Sequence, residues 1–336
     1  WDNYVGVLDT PCGTRIEILP KHADSKDAAQ KSRALLRKMI QSALDVKPRE
    51  LELSNLELFD APITEWVINK FLDTLDRLVK RGIRFDYLRI EEEQRFLRGQ
   101  LNIPRQMRQP PGRQHYFQIR HDMFLPDRAE NRLLKRALET VSKATKNADN
   151  WRLANELRSL LLEVPASNDV DADFRAWRTD RLMEHYRPVK PWCELILKQQ
   201  TPLSVAGQWE GLSLLFPMEK LFERYVEGWL RRSLDQEAKL VAQASAEFLC
   251  HHNHDRIFQL KPDLLVSCGS QRWVLDTKWK LIDTSNRKNN YGLSQTDFYQ
   301  LFAYGQKYLN GQGDMMLIYP QWGKFVMPLP VFDFGG

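Results

Sequence analysis

Apolar and polar positions alternate over the first twenty residues. Val5, Val7 and Leu8 precede Thr10-Pro11-Cys12-Gly13, and Ile16, Ile18 and Leu19 follow, with Arg15 and Glu17 between them. A period of two broken by a Pro/Gly turn predicts a β-hairpin. The period then lengthens to that of a helix. Leu35, Leu36, Met39 and Ile40 form one stripe within residues 28–43, and Trp66, Val67, Phe71, Leu75, Leu78 and Val79 another within 63–81, which ends at Gly82. Residues 84–120 read as irregular or strand-like, with Pro104, Pro110, Pro111 and Gly112 breaking any helix there. Helical spacing returns from about residue 128, at Leu133, Leu134, Ala137, Leu138 and Val141. Further helices are expected over about 151–164, 171–186 and 191–199. Residues 201–212 hold Pro202, Gly207 and Gly211 and make the best domain boundary.

Beyond that boundary the pattern predicts a strongly apolar helix over about 214–234. Strands are expected at about 256–267 and 271–280, a helix over about 294–308 and a strand at 315–319. The expected fold is α+β: an N-terminal β-strand and helical region over residues 1–200, then a C-terminal α/β domain over 201–336. The length of 336 residues suits two such domains.

Composition changes this picture little. The net charge of +5 is compatible with nucleic acid without requiring it. Cys12, Cys193, Cys250 and Cys268 are scattered with no C-x-x-C pair, so reduced thiols and a cytoplasmic location are expected rather than a zinc ribbon or disulfide framework. No apolar run is long enough to span a bilayer, and no signal peptide is visible. The chain opens at Trp1 inside what already reads as a strand, so further residues upstream are expected.

The chemistry lies in the two strands flanking Cys268-Gly269-Ser270. With Gly269-Ser270 as a two-residue loop, positions summing to 539 face each other, and Asp263 and Asp276 are such a pair. Their Cβ atoms would stand roughly 5 Å apart. Alternation places Lys278 on the face of Asp276. Two carboxylates this close repel when ionised, and a hard divalent cation removes the repulsion. Such a cation suits phosphodiester hydrolysis, with Lys278 orienting water or offsetting charge on the phosphate. A surface hairpin with solvent-facing Asp and Lys is the plain alternative. The apolar flanks Leu264-Leu265-Val266 and Trp273-Val274-Leu275 weigh against it, because they imply burial on both faces.

The run Pro262-Asp263 … Val274-Leu275-Asp276-Thr277-Lys278 resembles the PD-(D/E)xK nuclease motif. The helix from Gln295 to Tyr304 is similar to the one that often follows it. Asp122-Met123-Phe124 with Asn131-Arg132-Leu133-Leu134-Lys135, Phe222-Glu223-Arg224-Tyr225-Val226, and the opening Gly13-Thr14-Arg15-Ile16-Glu17-Ile18-Leu19-Pro20-Lys21 are similar to the McrC family. These are the nuclease subunits of McrBC-type modification-dependent restriction systems.

The resemblance implies a C-terminal PD-(D/E)xK restriction-endonuclease-like domain using Mg²⁺. It also implies a partner, an McrB-like hexameric AAA+ protein that binds and hydrolyses GTP, is stimulated by this subunit, and reads the modified cytosine in double-stranded DNA. The N-terminal domain is expected to dock onto that partner. The chain has no phosphate-cradling G-x-x-x-x-G-K-[ST] loop, in keeping with a motor supplied in trans.

Several secondary positions stay open. Glu223 either extends the metal shell or is a solvated helix charge, and so is Glu219 one turn earlier. Gln295, Tyr299 and Gln300 either contact the DNA phosphate backbone, support the groups around the metal, or lie on the surface of an amphipathic helix. Arg95, Arg98, Arg105 and Arg108, with Arg113 and Arg120, form a segment free of acids. It either tracks DNA phosphates, docks the motor ring, or is a solvated face. His251, His252 and His254 fit an exposed loop better than a zinc site. Two other functions remain open: a non-catalytic adaptor that activates an AAA+ GTPase, and a stand-alone nuclease.

Overall fold

A computed structural model describes residues 3–10, 12, 14–21, 28–44, 61–113, 115–198 and 213–334. The expected boundary at 201–212 lies outside the described residues. In chain order the first elements are β1 (Tyr4–Asp9), β2 (Arg15–Ile18), α1 (Ala28–Ala43), α2 (Ile63–Arg81), β3 (Asp86–Gln94), β4 (Gln100–Leu101) and α3 (Ile103–Met107). Then come β5 (Phe117–Leu125), α4 (Ala129–Ala144), α5 (Ala148–Leu160), α6 (Val170–Ala176), a 3-10 turn (Arg181–Tyr186) and α7 (Lys190–Lys198). The remainder is β6 (Leu214–Pro217), α8 (Met218–Ser233), β7 (Lys239–Ala242), β8 (Phe248–His252), β9 (Asp255–Gln259), β10 (Leu264–Cys268), β11 (Gln271–Thr277), a 3-10 turn (Arg287–Gly292), α9 (Gln295–Tyr308) and β12 (Asp314–Ile318).

The chain divides into two compact units. One gathers residues 1–10, 14–63 and 214–336, and the other 11–13 and 64–213. The division expected at 200/201 is therefore crossed by residues 1–10 and 14–63, which group with the C-terminal part. The cause is backbone pairing. β1 is the middle strand of a sheet ordered β2-β1-β6, with Val7 opposite Leu214 and Val5 opposite Phe216. Leu214-Leu215-Phe216-Pro217 is thus a strand rather than the first turn of a helix. Its apolar residues fit either conformation locally, and β1 supplies the partner that decides. α1 packs against α8 in the same unit. Gly228 lets them approach, since a Cβ there would lie 2.3 Å from Ser42 Oγ.

The second sheet of this unit has the order β12-β11-β10-β7, antiparallel except for the parallel pair β11–β12. α9 joins β11 to β12, as parallel neighbours require a crossover. Its buried Leu301, Tyr304 and Tyr308 pack with Val274 and Leu309. The strand expected over 256–267 is broken at residues 260–263, where the chain leaves the β8–β9 hairpin and enters β10. β7 and β8 were not expected, because residues 239–252 show no sustained alternation.

The other unit holds a sheet ordered β3-β5-β4 and the helices α2 and α4 to α7. The expected helix over 171–186 is two pieces, α6 and a 3-10 turn, separated at residues 177–180. Pro104 does not prevent the short helix α3: it stands in the first turn, where no amide donor is needed, and Asn102 caps the end. Buried Glu65 on α2 accepts from Thr145 Oγ1 (2.7 Å), Lys146 N (2.8 Å) and Asn150 Nδ2 (3.0 Å), tying α2 to the start of α5. No described helix is long and apolar enough to cross a membrane.

Candidate active site

The β10–β11 hairpin has the register that the sequence predicts. Leu264 faces Leu275 and Cys268 faces Gln271, both pairs summing to 539. Gly269 takes φ = +58° in the loop, a conformation that glycine adopts without penalty. Asp263 falls one residue before β10, so the carboxylate works from a strand end rather than from within a ladder. Its Oδ2 accepts from Thr277 N (2.7 Å) and Thr277 Oγ1 (2.6 Å), and its backbone oxygen accepts from Gln243 N (2.9 Å). Asp276 is 2% exposed and paired through Oδ2 with Lys278 Nζ. Lys278 N donates to Ile318 O at 2.9 Å, which continues the β11–β12 pairing past the last strand residue and keeps Lys278 on the face of Asp276.

Burial and the nearby Asp263 charge raise the Asp276 carboxyl to about 6, with Lys278 offsetting part of the effect. Glu223, on α8, is also raised, first by burial and then by the charge of Asp263. Gln243 links these acids: its Nε2 donates to Glu223 Oε1 at 2.6 Å and lies 3.4 Å from Asp263 Oδ1. Glu219 is exposed in the first turn of α8. Among those residues no three His, Cys, Asp or Glu side chains stand in a ready-made metal cluster. The Lys278 ammonium holds Asp276, and the Gln243 amide lies between Glu223 and Asp263. The donor chemistry nevertheless fits a hard cation. The donors are carboxylate oxygens, and burial and the Asp263 charge disfavour the ionised forms of Asp276 and Glu223, which a divalent ion reverses.

α9 adds a layer to this site. Gln300 Nε2 donates to Tyr304 OH (2.7 Å), which donates to Lys261 O (3.0 Å), two residues before Asp263. Gln300 therefore acts on the backbone leading into the site. Gln295 and Tyr299, hydrogen-bonded to each other at 2.5 Å, are exposed. The sequence reading missed Lys280 and Asp297, whose Nζ and Oδ2 lie 2.7 Å apart. Their signals were present: Lys280 continues the alternation of Asp276 and Lys278, and Asp297 shares a helix stripe with Leu301, Tyr304 and Tyr308. The Tyr319 hydroxyl is buried without a hydrogen-bond partner. Burial and then the charges of Asp297 and Asp276 push its pKa upward.

The arginine-rich segment belongs to the other unit, and acids of β3 offset part of its charge. Arg105 and Arg120 meet Glu91 at 3.3 and 2.8 Å, and Arg113 meets Glu93 at 3.5 Å. Arg95 lies over the Tyr116 ring, 5.6 Å from its centroid. Arg98 and Arg108 have no side-chain ion-pair partner among the described residues. His251, His252 and His254 are exposed around the β8–β9 turn.

A family model described as "McrBC 5-methylcytosine restriction system component" matches residues 1–320. Among solved structures, the chain is similar to one in the refined half-complex from the tetradecameric assembly of Thermococcus gammatolerans McrB AAA+ hexamers with bound McrC. The TM-score is 0.68 and the identity 22%, over 97% of this chain and 72% of that one. It is also similar to a chain in the cryo-EM structure of the Thermococcus gammatolerans McrBC complex, with a TM-score of 0.52 and 24% identity over 70% of this chain and 67% of that one. At these identities the likeness is one of fold. No curated protein matches the chain.

Proposed function

Because the chain belongs to the family of McrBC 5-methylcytosine restriction system components, we propose that it is the nuclease subunit of a GTP-dependent restriction complex. In this reading the C-terminal part is a PD-(D/E)xK domain that hydrolyses DNA phosphodiester bonds with Mg²⁺. An McrB-like AAA+ hexamer binds the GTP and finds the modified cytosine. The likeness to a chain from an assembly of McrB hexamers with bound McrC supports the partner.

The observation that carries the reading is the convergence of Asp263, buried Asp276 and Lys278 at one end of the β10–β11 hairpin. Asp263 and Asp276 would hold the ion, with Glu223 reached by displacing the Gln243 amide. When bound, Mg²⁺ would polarise the scissile phosphate and make a water more acidic. Thr277 holds Asp263 in place through two hydrogen bonds, so one carboxylate is oriented in advance. Lys278 neutralises Asp276 at rest. Once that carboxylate is engaged elsewhere, its ammonium is free to orient the attacking water or meet negative charge growing on the phosphate.

The test is cleavage of methylated duplex DNA with Mg²⁺ and GTP, with and without the AAA+ partner. Cutting is expected only with the partner, and Asp276→Ala should lower it by at least about 100-fold, the scale of losing one group that stabilises transition-state charge. Cutting by Asp276→Ala at the wild-type rate would sink the site. Cutting by the wild-type chain alone would sink the dependence on a motor.

A further inference from the structure

We infer that the β8–β9 hairpin is a DNA-contacting ribbon that seats the duplex beside the candidate active site; this rests on the nuclease reading above. The hairpin has the build of an arm. Among the described residues its strands pair only with each other, and most of their side chains are exposed. Asn253 and His254, with φ of 47° and 70°, close it as a tight two-residue turn between His252 and Asp255. A two-stranded ribbon of this width enters the major groove of duplex DNA.

Its base, in contrast, is fixed. Tyr308 OH donates to Leu260 O and Tyr304 OH to Lys261 O, at 2.9 and 3.0 Å. Leu260 N donates to Glu247 O at 2.9 Å. The arm is thus held by the same helix that covers the catalytic strands, and its second strand runs within four residues into Asp263. From Phe258 to Asp263 the chain spans at most about 17 Å, the rise of roughly five base pairs.

The surface chemistry selects the occupant. Arg256 and Lys261 are exposed cations, and Asp255 is the one acid between Phe248 and Lys261. Phe258 is 69% exposed with φ = +59°. A bulky side chain in the left-handed region is strained, and such strain is retained where the side chain is used. The pairing skips Leu249 and Phe258, so the left-handed residue interrupts the ladder where two apolar side chains face outward. Exposed cations around an exposed aromatic match a duplex, whose phosphates take the charge and whose bases take the ring.

The full-length protein is titrated with a fluorescein-labelled methylated duplex in EDTA, from about 50 to 200 mM salt. The double variant Arg256→Ala/Lys261→Ala should bind about tenfold more weakly, with the slope of log affinity against log salt reduced by about two. Phe258→Ala should bind about fivefold more weakly with the slope unchanged, a loss of about 1 kcal/mol. Arg256→Lys should keep the slope, and circular dichroism checks each fold. Unchanged affinity and slope in the first two variants would overturn the inference. So would weakened association with the AAA+ partner at unchanged DNA affinity, which would assign the ribbon to a protein. The nuclease reading is read separately from cutting by Asp276→Ala in the assembled complex with Mg²⁺, so either idea can fall while the other stands.

Discussion

Asp276 sets against each other two demands on one side chain. Its burial raises the carboxyl to about 6, so the folded protein binds that proton more tightly than the unfolded chain does. The stability from this group is fully present below the ordinary aspartate pKa and is lost as pH rises through about 6. In EDTA, Asp276→Asn should therefore be more stable than wild type at pH about 7.5, by up to about 3 kcal/mol. The difference should shrink as pH falls through the window between about 4 and 6. Urea unfolding at several pH values checks this; equal pH slopes for the two proteins would refute it. Asp263 contributes through its hydrogen bonds instead. Asp263→Ala leaves the buried Thr277 N–H and hydroxyl without their acceptor and should cost about 1–3 kcal/mol by urea unfolding. Asp263→Asn keeps an acceptor oxygen and should cost less, while both should abolish cutting.

At the scale of elements, the decisive contact is β1 on β6. Gly6 has φ = +134°, and a Cβ there would lie 1.9 Å from Leu214 O. Gly6→Ala must push β6 away and should destabilise by about 2 kcal/mol or more, measured by thermal unfolding. Gly269→Ala is the control. Its φ of +58° is also left-handed, but nothing lies within 4 Å of the added carbon, so only the backbone cost of about 1–2 kcal/mol is expected. An equal effect of the two substitutions would mean that strand contact adds nothing to local strain.

For the whole molecule, the grouping of residues 1–10 and 14–63 with 214–336 predicts that residues 213–336 do not fold alone. That fragment exposes the edge of β6 and the face of α8 that α1 covers. A chain in which residues 1–63 are joined to 213–336 by a flexible linker should unfold cooperatively in urea, whereas the short fragment should not. A cooperative transition from the short fragment would contradict the discontinuous unit.

Whatever depends on neighbours along the chain is legible in the amino-acid order. α1, α2 and α9 follow from apolar stripes at helical spacing, and the β10–β11 register follows from a two-residue loop and the period of a strand. That period is also why Asp263, Asp276 and Lys278 could be named as a set. The rest came from long-range packing, because those choices depend on partners distant in sequence. Leu214–Pro217 is a strand because β1, two hundred residues earlier, lies beside it. Lys280 and Asp297 meet because α9 folds back over the sheet, and Gln243 stands between Glu223 and Asp263 because β7 pairs with β10. The basic stretch looked unopposed in sequence, since its counter-charges, Glu91 and Glu93, lie on the strand preceding it and reach it only through pairing with β5. Periodicity reports which face of an element is apolar. It carries no record of what that face meets.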